Sequence, residues 1–149
     1  TDGVVVEGID NCLVKFAKCC SPLPGDEIVG FITRGFGVSI HKKDCENAQA
    51  SMANPENRER WVNAHWEEQV QENYKATLEM VAMDRDGLVG DVAVALGELR
   101  VPIYALTARS ADNGRASMSA TLGISSTEHL NSVVAKLRKV KDMITVTRI

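Results

Sequence analysis

The sequence predicts an α+β chain in two modules. A small β-rich module with one short helix spans 1–66, an acidic linker spans 67–72, and a β-α-β-β-α-β module of ferredoxin-like plan spans 73–149. Three observations carry this reading. Residues 74–84 and 115–124 alternate apolar and polar side chains with period two, the mark of half-buried strands. Two stretches after residues 87 and 125 carry apolar stripes at helical spacing. Before residue 66, by contrast, the apolar runs are short and β-branched, and Pro- and Gly-rich turns break them.

The bulk numbers agree. With 149 residues, 44% apolar and 25% charged, the chain is globular rather than disordered and long enough for two small domains. No run approaches the roughly 18 apolar residues of a membrane span, and no basic-then-apolar leader is visible. Thr1 in place of methionine suggests an excised or processed fragment. Four cysteines, two of them adjacent, fit reduced thiols in the cytoplasm better than a disulfide scaffold. The net charge of −3 excludes the global basicity of a nucleic-acid-binding domain. Any RNA contact needs a local patch, for which Lys15, Lys18, Arg34, Lys42 and Lys43 are the candidates; solvated surface lysines are the plainer alternative.

Taken in order, residues 4–7 (VVVE) and 12–16 (CLVKF) read as two strands with a turn between them. Residues 21–26 (SPLPGD) must leave extended pairing. Residues 27–33 (EIVGFIT) and 38–41 (VSIH) read as a hairpin around the glycine-flanked turn RGFG. Asp44 is placed to cap a short helix from 45 to about 52. The core of so small a module is thin, and a metal would support it. Cys19 or Cys20, His41 and Cys45 offer thiolate and imidazole donors, with H-x3-C spacing aiming a strand end and a first helical turn at one point. Zinc takes such donors tetrahedrally. Buried cysteines acting as small hydrophobes, plus a surface histidine, are the alternative. The paired C-x2-C spacing is missing, and vicinal cysteines tend to diverge. Residues 54–60 are polar and read as a loop. Residues 61–66 (WVNAHW) read as a last strand whose two tryptophans need a covered face.

In the second module, Ala76, Leu78, Met80 and Ala82 form the inner face of the first strand. DRDG (84–87) turns into a helix over 88–100 with the stripe Leu88, Val92, Ala95, Leu96 and Leu99. A strand over 101–108, opened by Pro102, leads through the hairpin signal DNG (112–114) into the strand over 115–124. Residues 125–128 (SSTE) read as a capping box before a helix with the core face Leu130, Val133, Val134 and Leu137. A strand over 143–149 closes the plan.

The stretch over 18–45, K-C-C-x-P-x-P-G-D-x-I-x-G-x-x-x-x-G-x-G-x-x-x-H-x-x-x-C, resembles the zinc-finger-like (RIS) module near the C-terminus of RelA/SpoT-type stringent-response enzymes. Those enzymes make, and in many cases hydrolyse, (p)ppGpp, and in them an ACT domain of β-α-β-β-α-β plan follows the module, as here. The resemblance covers essentially the whole chain. It implies Cys19, Cys20, His41 and Cys45 as the module's cysteine and histidine set, with structural zinc as the cofactor. It implies contact with the ribosome and its RNA, self-association as a homodimer through the ACT domain, and a branched-chain amino acid as a possible ligand. Asp86, Gly87 and Leu88 resemble the ACT turn, where N–H groups at a helix start can hold a carboxylate. Pro102 stands where ACT domains of this family often carry Asn, and proline supplies neither that side chain's donors nor an N–H. Cys12 lies outside the motif and reads as a core residue.

The motifs of the family's hydrolase and synthetase halves are absent from this sequence, as are P-loop and Rossmann fingerprints. The expected function is therefore a non-catalytic regulatory fragment of a (p)ppGpp synthetase/hydrolase (GTP pyrophosphokinase), with no catalytic residues and no catalytic cofactor. A stand-alone amino-acid-binding ACT protein with a zinc-stabilised adaptor is the alternative, and a thiol redox protein using Cys19 and Cys20 is a third reading.

Overall fold

The structure, a computed structural model, describes residues 3–35, 37–68 and 73–149. Phe36 of the expected RGFG turn and residues 69–72 of the expected linker lie outside the described residues. The chain divides into two compact units, Thr1–Glu72 and Asn73–Ile149. Among the described residues no helix is long and apolar enough to cross a membrane.

In the first unit the short β-branched runs form β1 (Val4–Val6), β2 (Val14–Phe16), β3 (Ile28–Thr33), β4 (Gly37–Lys42) and β5 (Trp61–Trp66), with α1 (Glu46–Ala53) between the last two. The strands order as β1-β5-β3-β4-β2. Every pair is antiparallel except β2 with β4, which run parallel. The first two strands, consecutive in sequence, therefore lie on opposite edges. The polar stretch expected as a loop contains a single 3-10 turn, Arg58–Arg60.

One face of this sheet carries the core of Val6, Ile28, Val38 and Ile40, onto which Val14, Phe16, Val62 and Trp66 pack. Period-two alternation puts the two tryptophans of β5 on opposite faces. Trp66 stacks on Phe16 with ring centroids 5.6 Å apart, and its Nε1 donates to the Asp26 carbonyl at 3.0 Å. Trp61 faces the other way, beside Phe31 at 4.8 Å, and its Nε1 donates to Ser51 Oγ on α1 at 3.1 Å. The SPLPGD turn is locked by reciprocal bonds. Leu23 N–H donates to Asp26 Oδ2 at 2.7 Å, and Asp26 N–H donates to the Leu23 carbonyl at 2.9 Å. Leu23 itself is fully buried, an anchor the proline-rich sequence did not suggest.

Two motif glycines have steric reasons. Gly30, in the middle of β3, faces the core, and a Cβ there would stand 2.7 Å from Val38 Cγ1 and 3.2 Å from Val62 Cγ2. Gly37 has φ +140° and lies so close to the Leu13 carbonyl that any side chain would collide with it. One expectation is corrected: Cys45, not Asp44, is the N-cap of α1. The Cys45 carbonyl accepts the first helical bond, from Gln49 N–H at 2.9 Å, while the Asp44 carboxylate pairs with Lys42 Nζ at 3.6 Å.

The second unit contains β6 (Tyr74–Met83), α2 (Leu88–Glu98), β7 (Ile103–Ser110), β8 (Arg115–Ile124), α3 (Thr127–Arg138) and β9 (Met143–Arg148). Its antiparallel sheet orders as β7-β8-β6-β9, the ferredoxin-like arrangement expected. Leu78, Met80, Ala82, Ala120, Leu122 and Ile124 are fully buried on the inner face, with Val92 and Leu96 of α2 and Val133 and Leu137 of α3. Leu99 and Val134, read as part of the helical stripes, are half-buried.

The second strand expected in this unit shifts by two residues, to start at Ile103. Val101 N–H bonds to the Leu96 carbonyl at 3.2 Å and Arg100 N–H to the Gly97 carbonyl at 3.0 Å, closing α2 in a Schellman motif with Arg100 at φ +56°. Val101 thus spends its donor on the helix and Pro102 has none, so pairing resumes beyond them. The capping box also shifts by one residue. Ser126 is the N-cap, and its Oγ accepts from His129 N–H at 3.1 Å, while His129 Nδ1 accepts from Ser125 N–H at 3.0 Å. Histidine, not Glu128, completes the reciprocal pair.

Two stability measurements follow. Gly30→Ala should lower the first unit's stability by about 1–3 kcal/mol through overpacking against Val38 and Val62, read as a lower urea midpoint followed by tryptophan fluorescence. In the second unit, Ser126→Ala should cost about 1 kcal/mol and Glu128→Ala less than about 0.5 kcal/mol. A loss for Glu128→Ala as large as that for Ser126→Ala in thermal unfolding would reject His129 as the residue that closes the cap.

Candidate metal centre

Parallel pairing of β2 with β4 builds the site. Because the two strands run in the same direction, their C-terminal ends leave the sheet on the same side. Ala17 N–H continues the ladder to the Ile40 carbonyl at 2.9 Å. The chain then turns over the end of β4, closed by Ser21 N–H to the Ala17 carbonyl at 2.9 Å, with Ser21 at φ +44°. This turn carries Cys19 and Cys20. His41 projects from the end of β4 on the face away from the core, and Cys45 stands three residues past that strand's last residue at the start of α1.

Among the described residues, Cys19, Cys20, His41 and Cys45 are the group whose donor atoms converge, all within 4.8 Å of one another, and they could hold a metal ion. Cys19 Sγ lies 3.5 Å from His41 Nδ1, 3.6 Å from Cys45 Sγ and 4.0 Å from Cys20 Sγ. Cys20 Sγ lies 3.9 Å from His41 Nδ1 and accepts from Lys42 N–H at 3.3 Å. The adjacent cysteines, expected to diverge, therefore turn to one point, because the turn they occupy wraps the end of β4. Cys19 is exposed, Cys20 half-buried and Cys45 buried; Cys12 packs beside the core, away from the cluster.

The five basic candidates separate. Lys18 precedes the cysteine pair, Lys42 ends β4 and Lys43 follows it in the turn, so these three lie next to the cluster's residues in sequence. Lys42 is paired with Asp44. Lys15 is exposed on β2 opposite Ser39. Arg34 sits in the turn before β4, at the other end of that strand.

In the second unit, Asp86, Gly87 and Leu88 lie where expected, at the start of α2. Gly87 is the N-cap at φ +79°, and the buried Leu88 side chain leaves only its backbone to any ligand. A cleft of about 510 Å³ runs between this turn and Ala108–Ser110 of β7. Arg85 holds the turn, its Nη2 reaching Asp91 Oδ2 at 2.7 Å and its Nε lying 3.1 Å from Asp142 Oδ2. Pro102 is not part of this place. The registers Ser110↔Ala116 and Ile103↔Leu122 put it at the opposite end of β7, six residues or ~20 Å away along an extended strand.

Comparison with known proteins agrees with this architecture. Residues 4–67 match the RelA/SpoT RIS domain and residues 70–148 match the ACT domain. The chain belongs to the ACT-domain family, and its first unit is similar to the RelA/SpoT RIS domain. It is 39% identical over 147 residues to a GTP pyrophosphokinase of Escherichia coli (strain K12), covering 98% of this chain and 20% of the relative. A GTP pyrophosphokinase of Streptomyces coelicolor is 33% identical, covering 99% of this chain and 17% of the relative. The chain thus spans about a fifth of the length of the curated relatives it matches. Among solved structures it is similar to the ACT domain from GTP pyrophosphokinase of Chlorobium tepidum, with 22% identity and a TM-score of 0.47, covering 52% of this chain and 99% of that one.

The electrostatics of the cysteine–histidine cluster differ from donor to donor. Burial pushes the Cys20 thiol up to about 12, against the Lys42 N–H that favours its thiolate. Burial also lowers His41, so its imidazole is neutral at neutral pH. At Cys45 burial acts upward, but the Asn47 and Ala48 amides at the open start of α1, together with Cys19, outweigh it and bring the thiol below its ordinary value. The sequence pattern located the donors. It could not locate Ser39, Trp61 or the Lys42 amide around them, whose only signals were the i, i+2 spacing of Ser39 and His41 and an aromatic at a strand start.

The signs of these shifts set a pH profile for the metal-free protein. The folded Cys45 thiol loses its proton more readily than the unfolded one, so its contribution grows as pH rises toward 9.0. The folded Cys20 thiol keeps its proton up to about 12, so stability is lost from 9.0 upward. Urea midpoints of the chelator-treated chain should therefore rise and then fall around pH 9. Cys20→Ala should remove the fall relative to the parent, and Cys45→Ala the rise.

Proposed function

We propose that this chain is a non-catalytic regulatory region of a cytoplasmic GTP pyrophosphokinase / (p)ppGpp hydrolase, in which the RIS domain is built on one structural zinc ion and contacts ribosomal RNA. The observation that carries the reading is the closed Cys3His cluster at the end of β4. Tetrahedral zinc with Zn–S of ~2.3 Å and Zn–N of ~2.0–2.1 Å implies donor separations of ~3.8 Å between sulfurs and ~3.5 Å between sulfur and nitrogen. The sulfur–sulfur separations of 3.6 and 4.0 Å and the sulfur–nitrogen separations of 3.5 and 3.9 Å are near those figures, within a cluster whose donors all lie within 4.8 Å of one another. The donor set of thiols and imidazole is soft, which favours zinc over magnesium or calcium. Four protein donors fill a tetrahedral ion and leave no position for substrate, the pattern of a structural site.

Lys18, Lys42 and Lys43 beside the cluster support the RNA contact, since a metal-fixed turn presents their charges in a set geometry. In the ACT domain, the exposed edge strand β7 supports pairing with a second copy through the sheet edge. The cleft at the start of α2, with Gly87 in the left-handed region, favours a second role in sensing a branched-chain amino acid through its carboxylate.

Elemental analysis should find about one zinc per chain, and thiol titration should show the three cluster cysteines becoming reactive only after chelation. Chelation should lower the first unit's unfolding midpoint and leave the second unit's unchanged. Absence of metal with freely titrating thiols rejects the zinc reading. Lys18→Glu with Lys43→Glu should weaken binding of a ribosomal RNA fragment and flatten its salt dependence by about two charges' worth; an unchanged salt slope rejects the RNA contact at this surface. Calorimetry with valine or isoleucine tests the sensing role, and no heat of binding sinks it.

A further inference from the structure

Within the zinc reading, the arrangement around His41 goes further than the four donors. The imidazole faces the thiols with Nδ1, 3.5 Å from Cys19 Sγ and 3.9 Å from Cys20 Sγ. Its other nitrogen, Nε2, lies 3.4 Å from Ser39 Oγ. Ser39 and His41 are two residues apart on β4, so their side chains share the face of the sheet that carries Trp61. The Trp61 ring meets the imidazole edge-on, with centroids 5.4 Å apart and planes at 64°. Trp61 is itself held from two sides, by Phe31 at 4.8 Å and by Ser51 Oγ at 3.1 Å.

We infer that Ser39 and Trp61 are the positioning residues of the metal centre, fixing His41 as an Nδ1 ligand. An imidazole that binds a metal through one nitrogen carries its proton on the other, and the acceptor for that proton decides which nitrogen is which. Here the acceptor is the Ser39 hydroxyl, whose oxygen accepts a hydrogen bond from Nε2–H and leaves the Nδ1 lone pair directed at the thiols. Trp61 supplies the wall that stops the ring turning about its Cβ–Cγ bond. Trp61 is therefore also a reporter of the site, while Trp66 lies on the opposite face of the sheet.

The test uses the full 149-residue chain and zinc alone, with affinity read by competition against a chelator. Ser39→Ala should weaken zinc binding by about tenfold to a hundredfold with the stoichiometry and the far-ultraviolet spectrum of the parent. Ser39→Thr, which keeps the hydroxyl, should restore the affinity. Nitrogen-15 NMR of the zinc-loaded parent should show His41 metal-bound at Nδ1 and protonated at Nε2, a readout that needs no variant and survives any failure of Ser39→Ala to fold. Trp61→Phe, with the zinc-induced change in tryptophan emission lost, completes the assignment. An Nε2-bound histidine, or a folded Ser39→Ala chain with the parent's affinity, overturns the inference while leaving zinc in place. A parent chain that takes up no zinc overturns the metal reading beneath it.

Discussion

The parallel ladder between β2 and β4 is the constraint on which the first unit depends. Had the two strands run antiparallel, as every other pair in that sheet does, the cysteines after Phe16 would emerge at the far end from His41. Parallel pairing requires a long excursion between the strands, and the chain uses it to lay down the SPLPGD turn and β3 before returning as β4. The loop over 17–21 then crosses the end of β4, and two stretches distant in sequence, 19–20 and 41–45, place four donors around one point. Nothing in any single segment makes that point; it exists only where their ends coincide.

This arrangement matters because the first unit has little else to hold it. Units of this size bury a smaller share of their surface than larger domains and often rely on a metal or disulfides. Its four-residue buried cluster rests on close approach, which is why Gly30 and Gly37 stand where a methyl group would collide. The face away from that core carries Trp61, Phe31 and His41, with α1 tied to Trp61 through Ser51, so packing and the cluster's imidazole share one layer. The thiols of the cluster have diverging proton affinities, one raised by burial and one lowered by helix amides.

The ACT unit is held differently. Its long strands alternate with few exceptions, and its two helices bury continuous stripes against them, so the sheet and helices supply a complete core. The places that break local rules sit at its ends: Arg100 in a left-handed conformation that closes α2, Gly87 opening it, and Arg85 tying the turn over 84–87 to Asp142. These are also the places where the sheet meets its loops, and the cleft beside Gly87 lies among them.

The sequence by itself determined most of the element order. Period-two alternation over 74–84 and 115–124 named the two central strands of the second unit, and the helical stripes named what covers them, because burial of one face leaves its period in the chain. The donors Cys19, Cys20, His41 and Cys45 were legible as residue types and as a motif. What only the tertiary structure decided was pairing and direction. That β1 and β2 occupy opposite edges, that the adjacent cysteines turn to one point, that His129 rather than Glu128 closes the cap, and that Pro102 lies a strand's length from Gly87 could not be read locally. Each depends on which backbone groups meet across the sheet or around a turn, and hydrophobic periodicity records which side a residue faces but not its neighbour.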